Sequence, residues 1–440
     1  MRVAFISYEF PPDTLGGIAT YARQAVAMLV ARGHDVTVIA GTTAASSSPH
    51  DPASSGARIL RLHCANRCNF SDIAVPALSA EHAREPFDVA EVPDLYAEAR
   101  GLRETIPALP IVLRCHTPLY IPAEIDFCAL PPFARQLSAL RRLLSGVLHR
   151  QSLSKTWCEA RARANYHDFY NPQHDPERQV AFDADLVAPP SQRLAQRLRD
   201  DWQVPVDRLR VLPYVHSPAP DLLGLPPPFS ARTIAFHGGV RYFKGVHILA
   251  AAMPLIVARS PGVRFTLAGA SGSSPVVDCS LRAWLADRMV TWRDTAEWLQ
   301  PLFAALGDRV ILRGFVRPEN LATHLSEADV CVFPSLFDNF PSACLEAMSA
   351  GRAIVATRSG GMEEMLGEGA GLLVAPGDSH ALANAICRVL SDVELRNDLA
   401  VRARKRLLAA YSPSVIGPRH EELYAEAIVL RQSVISTGRN

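Results

Sequence analysis

Short apolar runs alternate with helical patterns twice along this chain, and a proline-rich break separates the two series. In the first series the candidate strands are 3–7, 35–41, 57–62, 88–93, 110–116, 184–189 and 209–214. Helical patterns fall between most of them. One is Ile18, Tyr21, Ala22, Ala25 and Leu29, with Gly33 where a helix C-cap belongs. Strands separated by helices imply βαβ units, and βαβ units imply a parallel sheet. The break is 216–230, where His216-Ser217-Pro218-Ala219-Pro220 and Pro226-Pro227-Pro228 can continue neither a helix nor a central strand. The pattern then restarts with strands near 233–238, 263–269, 309–315, 329–334, 353–357 and 371–375. Helical pattern closes the chain at about 379–391, 395–410 and 413–432. The expected fold is α/β: two Rossmann-like, doubly wound parallel-sheet domains facing across a cleft. Their bounds are expected at 1–215 and 231–412, with the linker 216–230 between them and helix 413–432 a candidate to pack back on the first domain. A chain of 440 residues is long enough for both.

Composition narrows the function classes. Apolar residues make up 48% and charged residues 20%, which is globular composition. A net charge of +1 gives no bulk case for nucleic-acid binding. Met1-Arg2-Val3-Ala4-Phe5-Ile6-Ser7 reads as an immediate buried strand and not as a charged leader. No segment approaches the ~20 apolar residues that span a bilayer, and the run 247–258 reads as a helix. The expectation is a cytoplasmic protein, at most peripheral to the inner face of the membrane. Nine cysteines are scattered without a framework. Cys64 and Cys68, beside His63, lack a second Cys/His pair at zinc-like spacing, so no metal site is expected.

In doubly wound sheets, ligands bind outside the carboxyl ends of the strands. Three strand-to-loop junctions stand out. The first is Phe10-Pro11-Pro12-Asp13-Thr14-Leu15-Gly16-Gly17, before a helix. Free N–H groups at a helix start favour an anion. The spacing is not GxGxxG, so a nicotinamide fingerprint is absent, and a plain turn is the other reading. The second, Phe236 to Gly245, sets Arg241 and Lys244 in a glycine loop before a helix. Oriented cations there suit a diphosphate whose charge grows as it departs; a solvated loop is the alternative. The third runs from Phe333 to Met348. Pro341 suits a helix start, Leu345 and Met348 face the core, and Gly351 ends the helix. Asp338 then lies in the loop and Glu346 in the helix. The dipole of that helix, about half a unit charge, can meet a phosphate. The two carboxylates can accept hydrogen bonds from a sugar and a ribose, or else Asp338 caps the helix and Glu346 is solvated.

Taken together, these residues resemble the retaining GT-B glycosyltransferases of family 4, over nearly the whole chain. Ser7-Tyr8-Glu9-Phe10-Pro11-Pro12 with Gly16-Gly17 resembles the family's opening strand and glycine loop. Arg114-Cys115-His116-Thr117-Pro118 resembles its strand-end His motif, and Ala184 to Ser191 the segment before the last crossover of the first domain. Lys244-Gly245 matches the phosphate-binding lysine, and Gly314-Phe315-Val316 the turn that holds the base through its backbone. Asp338 and Glu346 stand at the ends of the E-x7-E motif, whose first carboxylate contacts the donor sugar and whose second contacts the ribose. Gly360-Gly361-Met362-Glu363-Glu364 and Gly371-Leu372-Leu373-Val374 complete the pattern. The resemblance implies catalytic roles for His116, Lys244, Asp338 and Glu346. It implies a donor site formed by Gly16, Gly17, Gly239, Arg241, Lys244, Gly314, Val316, Asp338, Ser342, Leu345 and Glu346. It further implies retention at the anomeric carbon, no metal and no cofactor, because the nucleotide sugar is a substrate.

The chain departs from the family pattern at three places. Asp338 replaces a glutamate and is one methylene shorter. Asn339-Phe340-Pro341 replaces Gly-Phe-Gly, so Ser342 supplies the next N–H. Gly239 takes the place of the family arginine, and Arg241 lies three residues before Lys244.

The stretch 133–165 is helical in pattern, with Phe133, Leu137, Leu140, Leu144, Val147 and Leu148 along one side. It carries Arg135, Arg141, Arg142, Arg150, Lys155, Arg161 and Arg163, with Glu159 the lone acid. Such a helix can lie on anionic lipid, or pack on its own domain with a solvated basic face. The expected partners are a nucleotide-sugar donor and a glycan or lipid-linked acceptor, with membrane contact through 133–165 under the lipid reading. Two other functions share the fold: a non-catalytic sugar or nucleotide-sugar binding protein, and a sugar-nucleotide epimerase or phosphorylase.

Overall fold

The computed structural model describes residues 1–13, 16–43, 56–148, 152, 155–157, 160–161, 170–227, 232–277 and 290–437. Six short strands, apolar except at the edge strand β3, form the first sheet: β1 (Arg2–Ser7), β2 (Asp35–Thr42), β3 (Arg58–His63), β4 (Val89–Pro93), β5 (Ile111–Arg114) and β6 (Leu186–Ala188). Their order is β3-β2-β1-β4-β5-β6, and every pairing is parallel. Strands covered on both faces are apolar throughout instead of alternating, and β1 is buried from Val3 to Ser7.

The second half repeats the plan with β7 (Thr233–His237) and β8 (Arg264–Ala268). A hairpin, β9 (Ser273–Val277) and β10 (Val290–Asp294), follows. Then come β11 (Val310–Gly314), β12 (Val330–Phe333), β13 (Ala353–Thr357) and β14 (Leu372–Val374). The second sheet is ordered β11-β8-β7-β12-β13-β14, again parallel. The order reverses between β1 and β4 in one sheet and between β7 and β12 in the other. The loops after these four strands therefore flank the two crevices where doubly wound sheets bind ligands.

One expectation needs correction. Residues 209–214 are not a strand. Leu209 makes one bridge to Val187, and the chain then runs irregularly with Leu212 and Tyr214 buried. Arg210 and Leu212 N–H still donate to the Val187 and Pro189 carbonyls at 3.0 Å each, but Pro189 lacks the N–H that a continuous ladder needs between them. The antiparallel pair β9–β10 was not read from the sequence, because its Ser-Ser-Pro opening carries loop composition. Inside the proline-rich break, Pro220–Leu223 forms one helical turn with proline in its first turn and Leu222 buried.

The terminal helix, Pro413–Thr437, lies against the first sheet. Its His420 and Tyr424 bond to the Glu91 carboxylate of β4 at 2.6 and 2.7 Å, and Tyr21 adds a third bond at 2.7 Å. Burial pushes Glu91 up, but His420, Arg114 and Tyr21 outweigh it and hold the carboxyl at about 2. Helix Pro132–Leu148 turns Phe133, Leu137, Leu140 and Leu144 outward, 50, 39, 48 and 47% exposed. Arg150, Glu159 and Arg163 lie outside the described residues. Among those described, no helix is long and apolar enough to cross a membrane.

Candidate active site

A cavity of about 560 Å³ opens between the carboxyl ends of the two sheets, within the size range of small-ligand sites. The first half contributes Gly16 and Gly17, at the start of helix Gly17–Ala31, and His116 after β5. The second contributes Gly239, Arg241 and Lys244 after β7, Val316 after β11, and Asp338, Ser342 and Glu346 after β12. Gly314 and Leu345 do not line it. Gly314 stands behind the turn at φ +64°, its carbonyl accepting from Gly269 N–H at 2.7 Å. Leu345 is 1% exposed in the core. Successive residues of a helix are rotated by about 100°, so Glu346 reaches the cavity where Leu345 cannot.

Lys244 is aimed by its neighbour. Gly245 takes φ +72°, and a Cβ there would lie 1.9 Å from the Pro334 carbonyl. Only glycine lets the two loops meet this closely. Helix Val246–Arg259 then starts directly after Gly245, which holds its cap position. The Lys244 ammonium donates to Asp338 Oδ2 at 2.6 Å, and Ser335 Oγ donates to the same oxygen at 3.2 Å. An ammonium has three N–H bonds, so two remain to face the cavity. Asp338 therefore does not cap the helix. Pro341 holds the cap position of helix Ser342–Ser349. Nor is Glu346 a solvated helical residue: its Oε2 accepts from His237 Nε2 at 2.7 Å.

His116 is held on two sides. Its N–H donates to Asp94 Oδ1 at 2.9 Å, and its Nδ1 lies 2.7 Å from the Tyr214 hydroxyl. That hydroxyl donates its proton to the Cys115 carbonyl at 3.0 Å. Nδ1 must therefore carry the imidazole proton, which leaves Nε2 as a bare acceptor. Burial, then the Arg114 guanidinium, pushes His116 down to about 3, so the ring is neutral.

Arg241 is exposed at the cavity rim. Burial raises Asp126, on helix Tyr120–Ala129 of the first half, to about 6, and Arg241 counters that rise. On the first-half wall, Glu9 accepts from Arg67. Arg67 Nε also donates to Glu98 at 2.8 Å, and Tyr8 N–H donates to Glu98 at 2.8 Å.

Asn339 joins the two halves. Its Nδ2 donates to the His116 carbonyl, and its Oδ1 accepts from Ser191 Oγ at 2.8 Å. Ser342 Oγ donates to the Gly17 carbonyl at 3.3 Å, and the Glu364 carboxylate accepts from Gln192 and Arg193 N–H at 2.9 and 3.0 Å. The roles of Asn339, Tyr214, Asp94 and His237 were not read from the sequence. His237 carried one usable signal, its place at a strand end before the glycine loop.

Two parallel six-stranded sheets, facing across a cleft lined from both switch points, are the GT-B architecture found in glycosyltransferases. Residues 15–214 match Glycosyltransferase Family 4, and residues 231–392 match Glycosyl transferases group 1. The chain belongs to this family of glycosyltransferases. An uncharacterized glycosyltransferase of Methanocaldococcus jannaschii is 24% identical, covering 97% of this chain and 99% of that protein. Sucrose-phosphate synthase from Thermosynechococcus elongatus superposes with a TM-score of 0.67 at 23% identity, covering 97% of this chain and 99% of that one. Anabaena HepE, in complex with UDP and glucose, superposes with a TM-score of 0.62 at 16% identity, with the same coverages of 97% and 99%. Both structures share the fold.

Proposed function

We propose that the protein moves a sugar from a nucleotide-sugar donor to a hydroxyl of a glycan or lipid-linked acceptor, with retention and without a metal. One observation carries this reading. Lys244 with Asp338, and Glu346 with His237, form two adjoining polar pairs at the switch point of the second sheet, facing His116 across the cavity. The UDP and glucose bound by HepE, on the same fold, support a nucleotide-sugar donor.

In this account units 1–215 and 231–412, joined by 216–230, present the acceptor and the donor respectively. The two free N–H bonds of Lys244 and the Ser342 N–H, in the first turn of helix Ser342–Ser349, meet the donor diphosphate. They stabilise the negative charge that grows as it leaves. Arg241 reaches the same group from the rim. Asp338 and the bare Nε2 of His116 accept hydrogen bonds from the sugar hydroxyls, and the carboxylate of Glu346 accepts from the ribose. The base lies against Val316. The acceptor oxygen attacks the anomeric carbon from the face the diphosphate leaves. Its bond forms as the carbon–phosphate-oxygen bond breaks, and a phosphate oxygen takes the hydroxyl proton. The exposed apolar row on helix Pro132–Leu148 supports an acceptor presented at the inner face of the membrane.

The test is product analysis with UDP-, ADP-, GDP- and CMP-sugars, each with and without a glycan or lipid-linked acceptor. Transfer predicts an α-linked product from an α-linked donor, dependent on acceptor and indifferent to a chelator. Turnover that needs only phosphate, or epimerises the donor alone, contradicts it.

A further inference from the structure

We infer that His237 is a positioning residue: it fixes the Glu346 carboxylate so that this enzyme distinguishes a ribonucleotide donor from its deoxy counterpart. The inference rests on the nucleotide-sugar reading above and adds a residue to it.

The geometry defines which groups are engaged. His237 Nε2 lies 2.7 Å from Glu346 Oε2. A carboxylate oxygen can only accept from an imidazole N–H, so Nε2 carries the proton. The second oxygen, Glu346 Oε1, has no protein hydrogen-bond partner among the described residues and belongs to a side chain that lines the cavity. The bond thus spends one oxygen on the protein and presents the other to a ligand hydroxyl.

The ring itself is held in place. His237 is the last residue of β7, in parallel register with Ala268 of β8. Its Nδ1 is buried without a partner. Its ring packs at 5.6 Å, centroid to centroid, against His324. Both ring nitrogens of His324 are also buried without partners. Burial, then His237 and Arg313, pushes His324 down to about 4, so it is a neutral wall. Two rings with three unsatisfied nitrogens are a costly arrangement. Among the described residues, the one hydrogen bond these two rings make is the bond to Glu346. Nothing else in the pair explains why a polar ring occupies the strand end, where the β7 interior is Ile234, Ala235 and Phe236.

The consequence is chemical selectivity. A free glutamate can rotate to follow whatever hydroxyl is present, whereas a fixed one recognises a hydroxyl at one place. A hydrogen bond to a charged group is worth roughly ten- to a hundred-fold in an equilibrium. Loss of the His237 bond lowers the affinity for the ribonucleotide by that order and leaves the affinity for the deoxy form nearly unchanged.

The experiment is calorimetric titration of UDP, ADP and GDP in turn. The one that binds is then compared with its 2′-deoxy and 3′-deoxy forms. The proteins are the wild type, His237→Leu, His237→Gln and Glu346→Ala. The wild type should prefer the ribo form over at least one deoxy form by about ten-fold or more. His237→Leu should bring the ratio to within about two-fold, raising donor KM while kcat stays within about three-fold. His237→Gln, whose amide N–H reaches the same oxygen, should restore the ratio. If His237→Leu does not fold, His237→Asn, too short to reach, takes its place against Gln. Discrimination kept in the Leu or Asn variant but lost in Glu346→Ala overturns the role of His237 alone. Discrimination kept in Glu346→Ala overturns the ribose reading of the site instead.

Discussion

Lys244 is the single group best placed to meet the charge of a departing diphosphate. Its ammonium is 2.6 Å from Asp338 and opens onto the cavity with two N–H bonds to spare. Loss of one donor to developing charge typically costs about 10²–10³ in turnover. Lys244→Met should therefore lower kcat by that order with little change in donor KM, as read from steady-state kinetics. An unchanged kcat, or a loss confined to KM, would remove Lys244 from the leaving-group site. Of the four residues that carry the proposed chemistry, Lys244 and Asp338 stood out at strand-to-loop junctions and Glu346 on the helix that follows one, whereas the role proposed for His116 came from the family resemblance. Their supports were not legible. His116 meets Tyr214 across 98 residues of chain, and Asn339 reaches the His116 carbonyl across 223. No local pattern encodes such pairs, because they exist only once the two halves face each other. Gly314 and Leu345 fell out for the opposite reason: the motif names them, while backbone geometry turns them away from the cavity.

Among the elements, most strands and helices were read from apolar periodicity alone, since a strand buried on both faces has an unmistakable composition. The exceptions have local causes. The missing N–H of Pro189 breaks the ladder beside 209–214, and a short polar hairpin resembles a loop. Helix Pro132–Leu148 was read correctly as amphipathic, but the sequence left open which side it exposes. The structure turns the apolar row of Phe133, Leu140 and Leu144 outward. Each fully buried large apolar side chain is worth roughly 1.5–3 kcal/mol, so three of them dominate any binding to lipid. Replacing all three with serine should abolish co-sedimentation with phosphatidylglycerol vesicles and leave transfer to a water-soluble acceptor intact. Sedimentation equal to wild type would exclude this face as the membrane contact.

For the whole molecule, buried titrating groups set a pH dependence of stability. Burial lowers His116 to about 3, and His216, His247 and His324 to about 4. Unfolded histidines take up protons below about 6.5, so these four add stability as pH rises to that point and nothing beyond it. Asp94 and Glu177 act in the other direction. Burial raises them to about 7 and about 8, so the folded state keeps protons that the unfolded chain releases near pH 4. Their contribution is complete below that point and is lost as pH climbs through 7 and 8. The thermal midpoint should therefore peak near pH 6.5 and decline toward pH 8, and Asp94→Asn should flatten the decline. A midpoint still rising at pH 8 would contradict these buried carboxyl assignments. At this scale the two-part plan and the cleft were legible, whereas the closing contacts through Asn339, Glu364 and the Glu91–His420 bond were not. The central claim is that the cleft holds a nucleotide sugar through Glu346. Its most direct test is calorimetric titration of UDP, ADP, GDP and CMP into wild type and Glu346→Ala. The account predicts that at least one nucleotide binds the wild type and binds the variant about ten-fold or more weakly. Equal affinity in the two proteins, or no binding of any nucleotide to the wild type, would contradict it.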